Sequence, residues 1–252
     1  MRRLAVLALS ALSACAPMQA DAPPSRALPL EQSLPPMRSF AATTLPAPAR
    51  SNSEIAQDFL DLSFRMESGR PIPEMTRFEG PISVRVTGDI PATLVADLRR
   101  LIDRLRAEAG IDIFLTGAPV ASITIQGISR EQLQRQVPRA ACFVVPRISS
   151  WTDFQQARRS PQVDWTTLTR RDTAVIFIPT DTAPQEVRDC LHEELAQALG
   201  PLNDLYRLSD SVFNDDNVHA VLTSFDMLIL RSYYAPELAN GMRRGEAAAN
   251  GG

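Results

Sequence analysis

The chain contains no lysine: all 26 basic residues are arginine, set against 29 acidic ones in 252 residues. That absence excludes a phosphate-loop lysine, a protein-kinase lysine, a Schiff-base lysine and serine/lysine hydrolase chemistry. Histidine is nearly missing as well. With only His192 and His219 present, a three-histidine zinc site cannot be built. Neither Ser13 nor Ser211 lies in a G-x-S-x-G elbow, which leaves no motif for a serine hydrolase. A net charge of −3 without basic blocks lacks the concentrated footprint that nucleic acid requires, so no nucleic-acid partner is expected. No stretch is apolar for eighteen residues, so no membrane-spanning helix is expected. What remains is 44% apolar, enough for a globular core.

The N-terminus is informative. Met1-Arg2-Arg3 precedes a short apolar run over 4–11 and then Leu12-Ser13-Ala14-Cys15. A charged start, a short apolar segment and small residues describe a secretory signal over 1–14. The cysteine after Leu-Ser-Ala resembles the bacterial lipobox, which implies lipidation at Cys15 and attachment to a membrane through acyl chains, each buried methylene contributing ~0.8 kcal/mol. Ala16 and Pro17 carry no aspartate. By resemblance to enterobacterial lipoproteins, that implies the periplasmic face of the outer membrane. Residues 15–52 then read as lipid anchor and tether, with prolines at 17, 23, 24, 29, 35, 36, 46 and 48 and no apolar periodicity.

One domain is expected over 53–242, followed by a flexible Gly/Ala/Asn tail over 243–252. Apolar spacing predicts a helix over 54–64 and a long helix from 92 with Leu94, Leu98, Leu101, Ile102 and Leu105 on its inner face, stopped by Gly110. Short β-branched runs predict strands over 82–86, 111–115, 121–126, 141–145 and 174–179. Residues 148–169, with Trp151 and Trp165, read as an irregular excursion. A helix opening on a Thr182–Gln185 capping box and closed by Gly200-Pro201 carries the candidate chemistry, and a last helix is expected over 225–234. The arginine pairs at 99/100, 158/159, 170/171 and 243/244 read as solvated faces. The fold class is α+β: a mixed sheet of about five strands, a long backing helix, a signature helix under a cleft and a C-terminal helix.

On a helix turning ~100° per residue, Glu193, Glu194 and Gln197 share a sector beside the apolar face of Val187, Leu191, Leu195 and Ala198. A zincin motif needs a ligand, a glutamate directly after it, and a second ligand one turn on. His192 fails as the first ligand because Ala196 would be the second. Shifted by one, Glu193, Glu194 and Gln197 occupy the three places, Gly200 follows three residues on, and Asn203 three after that. This spacing resembles the metzincin pattern H-E-x-x-H-x-x-G-x-x-H with its histidines replaced. Ser211-Val-Phe-Asn214 resembles the Met-turn with Phe213 in the methionine place. Together with the Cys190–Gly200 block, the Phe225-Asp226 helix and Asn240-Gly241-Met242, the chain resembles, over about 54–242, the bacterial family named domain of unknown function 2927.

The metzincin resemblance implies a metal at Glu193, Gln197 and Asn203, with Asp204 or His219 as alternates and Glu194 as general base. One carboxylate and two amides suit zinc poorly. Three readings of the site stay open: a degenerate, metal-free fold; an oxygen-ligated divalent site for calcium, magnesium or manganese that draws in Asp204, Asp215 and Asp216; and a zinc hydrolase with Glu193 as ligand and Glu194 as general base. For the whole protein the resemblance implies an envelope lipoprotein with a degenerate, metalloprotease-related domain, the alternative being a non-catalytic envelope module that binds a peptide or protein. The two cysteines left after lipidation, Cys142 on a strand and Cys190 on the signature helix, are expected to pair in an oxidising compartment, the alternative being two separately buried thiols.

Overall fold

The computed structural model describes residues 25–27, 50–214 and 219–250. The signal segment, Cys15 and most of the tether lie outside the described residues, as do Asp215 and Asp216. Among the described residues no helix is long and apolar enough to cross a membrane.

Five strands form a mixed sheet in the order β3-β2-β4-β6-β5, and the three-residue β1 (Ser25–Ala27) extends it antiparallel along β5. Strands β2 (Ile82–Gly88), β3 (Ile113–Leu115), β4 (Ile123–Ile128) and β6 (Ala174–Pro179) run parallel, whereas β5 (Ala140–Pro146) is antiparallel to β6. Strands β5 and β6 are buried at every position, which is why they read as unbroken apolar runs with no alternation.

Alternation nonetheless sorts their side chains between two cores. Cys142, Val144, Ile176 and Ile178 face the main core with α2 (Ala92–Ala109) and α5 (Pro184–Leu199), while Phe143, Val145, Val175 and Phe177 face a second cluster. That second cluster is closed by α3 (Arg130–Gln136) and α4 (Trp151–Ala157). Trp151 and Phe154 lie 5.0 and 5.6 Å from the Phe177 ring, edge-on and tilted respectively, arrangements that favour aromatic pairs. The segment expected to be an irregular excursion thus contains a helix that covers one sheet face. Its seven residues are too few to show a clear 3.6-residue period.

Helix α1 (Asn52–Ser63) starts on a reciprocal capping box between Ser51 and Glu54, and α6 (Ser224–Tyr233) on one between Thr223 and Asp226. The box expected at Thr182 is absent: Thr182 Oγ1 donates to the Pro179 carbonyl, the N-cap is Ala183 without a side-chain bond, and Pro184 opens α5. Gly110 ends α2 in the left-handed conformation, φ 69°, as its place in the sequence implies. The tail expected to be flexible is helical over α7 (Arg244–Asn250). Arg244 donates to the Leu60 carbonyl at 2.7 Å and to Asp61 Oδ1 at 2.8 Å, and Ala247 is buried, so α7 docks on α1.

Candidate functional site

Helix α5 is the centre of the molecule. Every side chain from Gln185 to Leu199 is buried, although the helix carries Glu186, Arg188, Asp189, His192, Glu193, Glu194 and Gln197. Buried polar groups persist only when bonded, so the contacts of α5 define what this site can do. On the sheet side, Cys190 is joined to Cys142 of β5 by a disulfide, with Cα atoms 5.9 Å apart. On the side of α2, Arg188 Nε bonds Asp97 Oδ2 at 3.0 Å in a buried ion pair. Arg130 at the start of α3 pairs with Glu186 near the start of α5.

His192 is fully buried, and its Nδ1 accepts the Leu222 backbone N–H at 3.1 Å. Burial first, and then the neighbouring Arg104 and Arg188 charges, hold its pKa well below the usual imidazole range. A neutral ring that accepts at Nδ1 carries its proton on Nε2. His192 therefore ties α5 to the loop before α6.

The C-terminus of α5 is satisfied by side chains. Arg171 Nη1 donates to the carbonyls of Gln197 at 2.6 Å and Ala198 at 2.7 Å, its Nη2 to that of Gly200, and Tyr234 Oη to that of Leu199 at 2.9 Å. A helix end leaves four carbonyls without intrahelical partners, and here the set is answered by a guanidinium and a phenol. Arg171 stacks on Trp165 at 4.8 Å, which gives the 148–169 segment a second role. This corrects the reading of the 170/171 pair as solvated: Arg170 is exposed, Arg171 is buried, and desolvation lowers its pKa from the free value. Gly200 is needed because a β-carbon there would lie 2.9 Å from the Tyr233 ring.

The predicted site residues divide into those with bonds to α1 and those elsewhere. Gln197 Nε2 donates to Glu67 Oε1 at 2.8 Å, and Asn203 Nδ2 to the Asp61 carbonyl at 2.9 Å, so both amides turn their nitrogens toward α1 and the turn after it. Glu193 is 6% exposed and Glu194 0%, so neither carboxylate lies on an open cleft floor. Asp204 is half-buried, and His219 Nε2 bonds the Ser209 carbonyl at 2.9 Å in a separate loop. The segment 211–214 is fixed by Asp226 of α6: its carboxylate accepts Ser211 Oγ at 2.5 Å and the backbone N–H groups of Val212 and Thr223 at 3.2 and 2.7 Å. Burial pushes the Asp226 pKa up against those bonds.

The model of the family described as Protein of unknown function (DUF2927) matches residues 52–250. The chain belongs to this family. No curated protein matches it. The DUF2927 match takes in α7, in agreement with the docking of that helix on α1. Sequence reasoning did not find Arg171, Glu67, Asp97 or Asp226. For Asp226 a signal existed, since Thr223-Ser-Phe-Asp226 has capping-box spacing; the other three act across 26 to 130 residues of chain and left no local pattern.

Does the donor set fit the metal that the zincin pattern implies? Zinc prefers imidazole and thiolate, and here Cys142 and Cys190 are bonded to each other, His192 receives an N–H, and His219 is held by Ser209. Among the described residues no group of three histidine, cysteine or carboxylate side chains converges for a cation of any kind. The set does not fit.

Proposed function

We propose that this DUF2927 protein is a lipid-anchored protein of the cell envelope, held at the periplasmic face of the outer membrane through Cys15, whose domain is a degenerate relative of zincin metallopeptidases retained as a binding module. The observation that carries the reading is the engagement of the ligand types a zinc centre would need. Both imidazoles serve internal bonds, the two described cysteines are joined in a disulfide, and Gln197 and Asn203, in the places of the second and third zincin ligands, direct their amide nitrogens to the turn after α1 and to α1. A disulfide suits an exported chain, since such bonds persist in oxidising compartments. The signal-like start and the Leu-Ser-Ala-Cys15 sequence supply the anchor. The partner of such a module is an envelope peptide or protein, and not nucleic acid.

The test is metal content and hydrolysis on the mature, full-length chain purified without chelator. The expected outcome is no stoichiometric zinc, calcium or manganese and no cleavage of envelope peptides that depends on Glu194. Bound metal together with hydrolysis abolished by Glu194→Gln would overturn the reading and restore Glu194 as general base, a role that ordinarily contributes ~10²–10⁴ in rate.

A further inference from the structure

On the sheet face opposite α5, a cavity of about 560 Å³ opens between α4 and the loop over 119–121. Its floor is Thr124 of β4. Ile123 and Ile125 on either side of it enter the main core, so the pleat turns Thr124 to the α4 face, between Arg85 of β2 and Val175 of β6. Thr124 is 1% exposed, yet its Oγ1 has no hydrogen-bond partner among the described residues. A buried hydroxyl left unbonded costs free energy, and the residue that carries it lines the cavity.

A second feature points to the same place. Arg147, on the cavity wall, is the one non-glycine residue with positive φ, 61°, among the described residues. It is held there: its N–H donates to the Thr173 carbonyl at 2.7 Å, and Nη1 and Nη2 donate to Thr167 Oγ1 and the Thr167 carbonyl at 2.8 and 2.6 Å. Side chains rarely adopt this conformation, and where they do, the strained residue often belongs to a functional site.

The lining selects the ligand. Arg147 and Asp153 are the charged residues of the wall, one of each sign. The Arg147 terminal nitrogens are engaged by Thr167, and the Asp153 carboxylate would repel an anion, so the cavity does not suit phosphate or sulfate. One carboxylate without two further ligands does not suit a metal ion. Beyond these, Thr124, Thr173 and Gln156 line the wall with hydroxyls and an amide, the Asp153 carboxylate accepts from Ser149 and Ser150 at its edge, and Val120, Ile148 and Ala157 supply apolar surface. Neutral hydroxyl and amide groups beside small apolar patches match a pyranose, which presents hydroxyls at its rim and C–H groups on its faces. The volume lies within the range of sites for small ligands.

We propose that this cavity binds a neutral glycan of one or two sugar units, with Thr124, Asp153 and Gln156 reading its hydroxyl or acetamido groups. The inference is independent of the reading of α5, from which the sheet separates it. The test is titration of the full-length mature chain with chitobiose, followed by ligand-observed NMR and calorimetry. Saturable one-to-one binding is expected, weakened about three- to tenfold in Thr124→Val and in Gln156→Ala, the loss expected for one neutral hydrogen bond. The Gln156 side chain is exposed, so Gln156→Ala decides the matter if Thr124→Val fails to fold. Absence of saturable binding, or binding unchanged in Gln156→Ala, overturns the proposal. So does binding of inorganic phosphate that is lost in Arg147→Gln while chitobiose does not bind.

Discussion

His192 and Arg171 show how single residues in this fold act through burial. In the unfolded chain His192 takes up a proton near pH 6.5; in the folded chain its pKa is depressed by burial and by Arg104 and Arg188, so the native state stays unprotonated over a wider range. The unfolded state therefore binds more protons below pH 6.5. Stability present above that pH is lost as the pH falls toward the folded pKa, at up to ~1.4 kcal/mol per pH unit. His192→Asn keeps an acceptor for the Leu222 N–H and removes the titration, so its urea midpoint should vary less between pH 7 and 5 than that of the wild type. An equal slope in both proteins would refute this account. Arg171→Ala should cost about 3 kcal/mol in chemical denaturation, because three carbonyls at the end of α5 lose charge-assisted bonds and Trp165 loses its stacking partner. Arg171→Lys should recover only part, as an ammonium lacks the planar fork.

At the level of elements, α5 is held from every side: by β5 through the disulfide, by α2 through Asp97–Arg188, by the loop before α6 through His192, and by Arg171 at its end. Closing a loop of 48 residues in sequence separation contributes ~4 kcal/mol in the chain-entropy model, so Cys142→Ser with Cys190→Ser should lower unfolding free energy by about that amount. Alkylation of the denatured, unreduced protein should label neither cysteine; labelling of both would remove the bridge. Helix α7 gives a second test. Truncation after Arg243 removes the buried Ala247 and the Arg244 bonds to α1, and should cost ~1–3 kcal/mol in urea denaturation. A flexible tail would cost nothing. The sequence over 244–250 hides this helix because alanine packs by contact with α1 and leaves no apolar stripe to read.

For the whole molecule the predictions concern placement and loading. Cys15→Ser should abolish palmitate labelling and leave an unprocessed precursor; acylation that persists in the variant would refute the anchor. The degenerate reading expects the folded chain to melt at the same temperature with and without chelator, whereas a structural cation would shift the midpoint by mass action. The sheet also separates the buried polar residues of α5 from the proposed glycan cavity on the α4 face, so Gln156→Ala should leave the stability contributed by the α5 contacts unchanged.

How much of this was legible in the chain itself? The absence of lysine, the short signal-like start, the five strands and the long helix stopped at Gly110 are local features, written in residue type and periodicity, and the strands appear within a few residues of their expected bounds. The Cys142–Cys190 pairing also followed from counting. The sector of Glu193, Glu194 and Gln197 was legible as a set of positions on a helix, because helical geometry is periodic. Its surroundings were not. Whether a carboxylate faces solvent or core, whether an arginine at 171 solvates or caps, and whether Gln197 meets a metal or Glu67 are decided by residues from α1, α2, β5 and the 165–173 segment, far away in sequence. Local periodicity determines which side chains share a face; only tertiary packing decides what that face meets, because burial and hydrogen-bond partners are properties of the assembled fold.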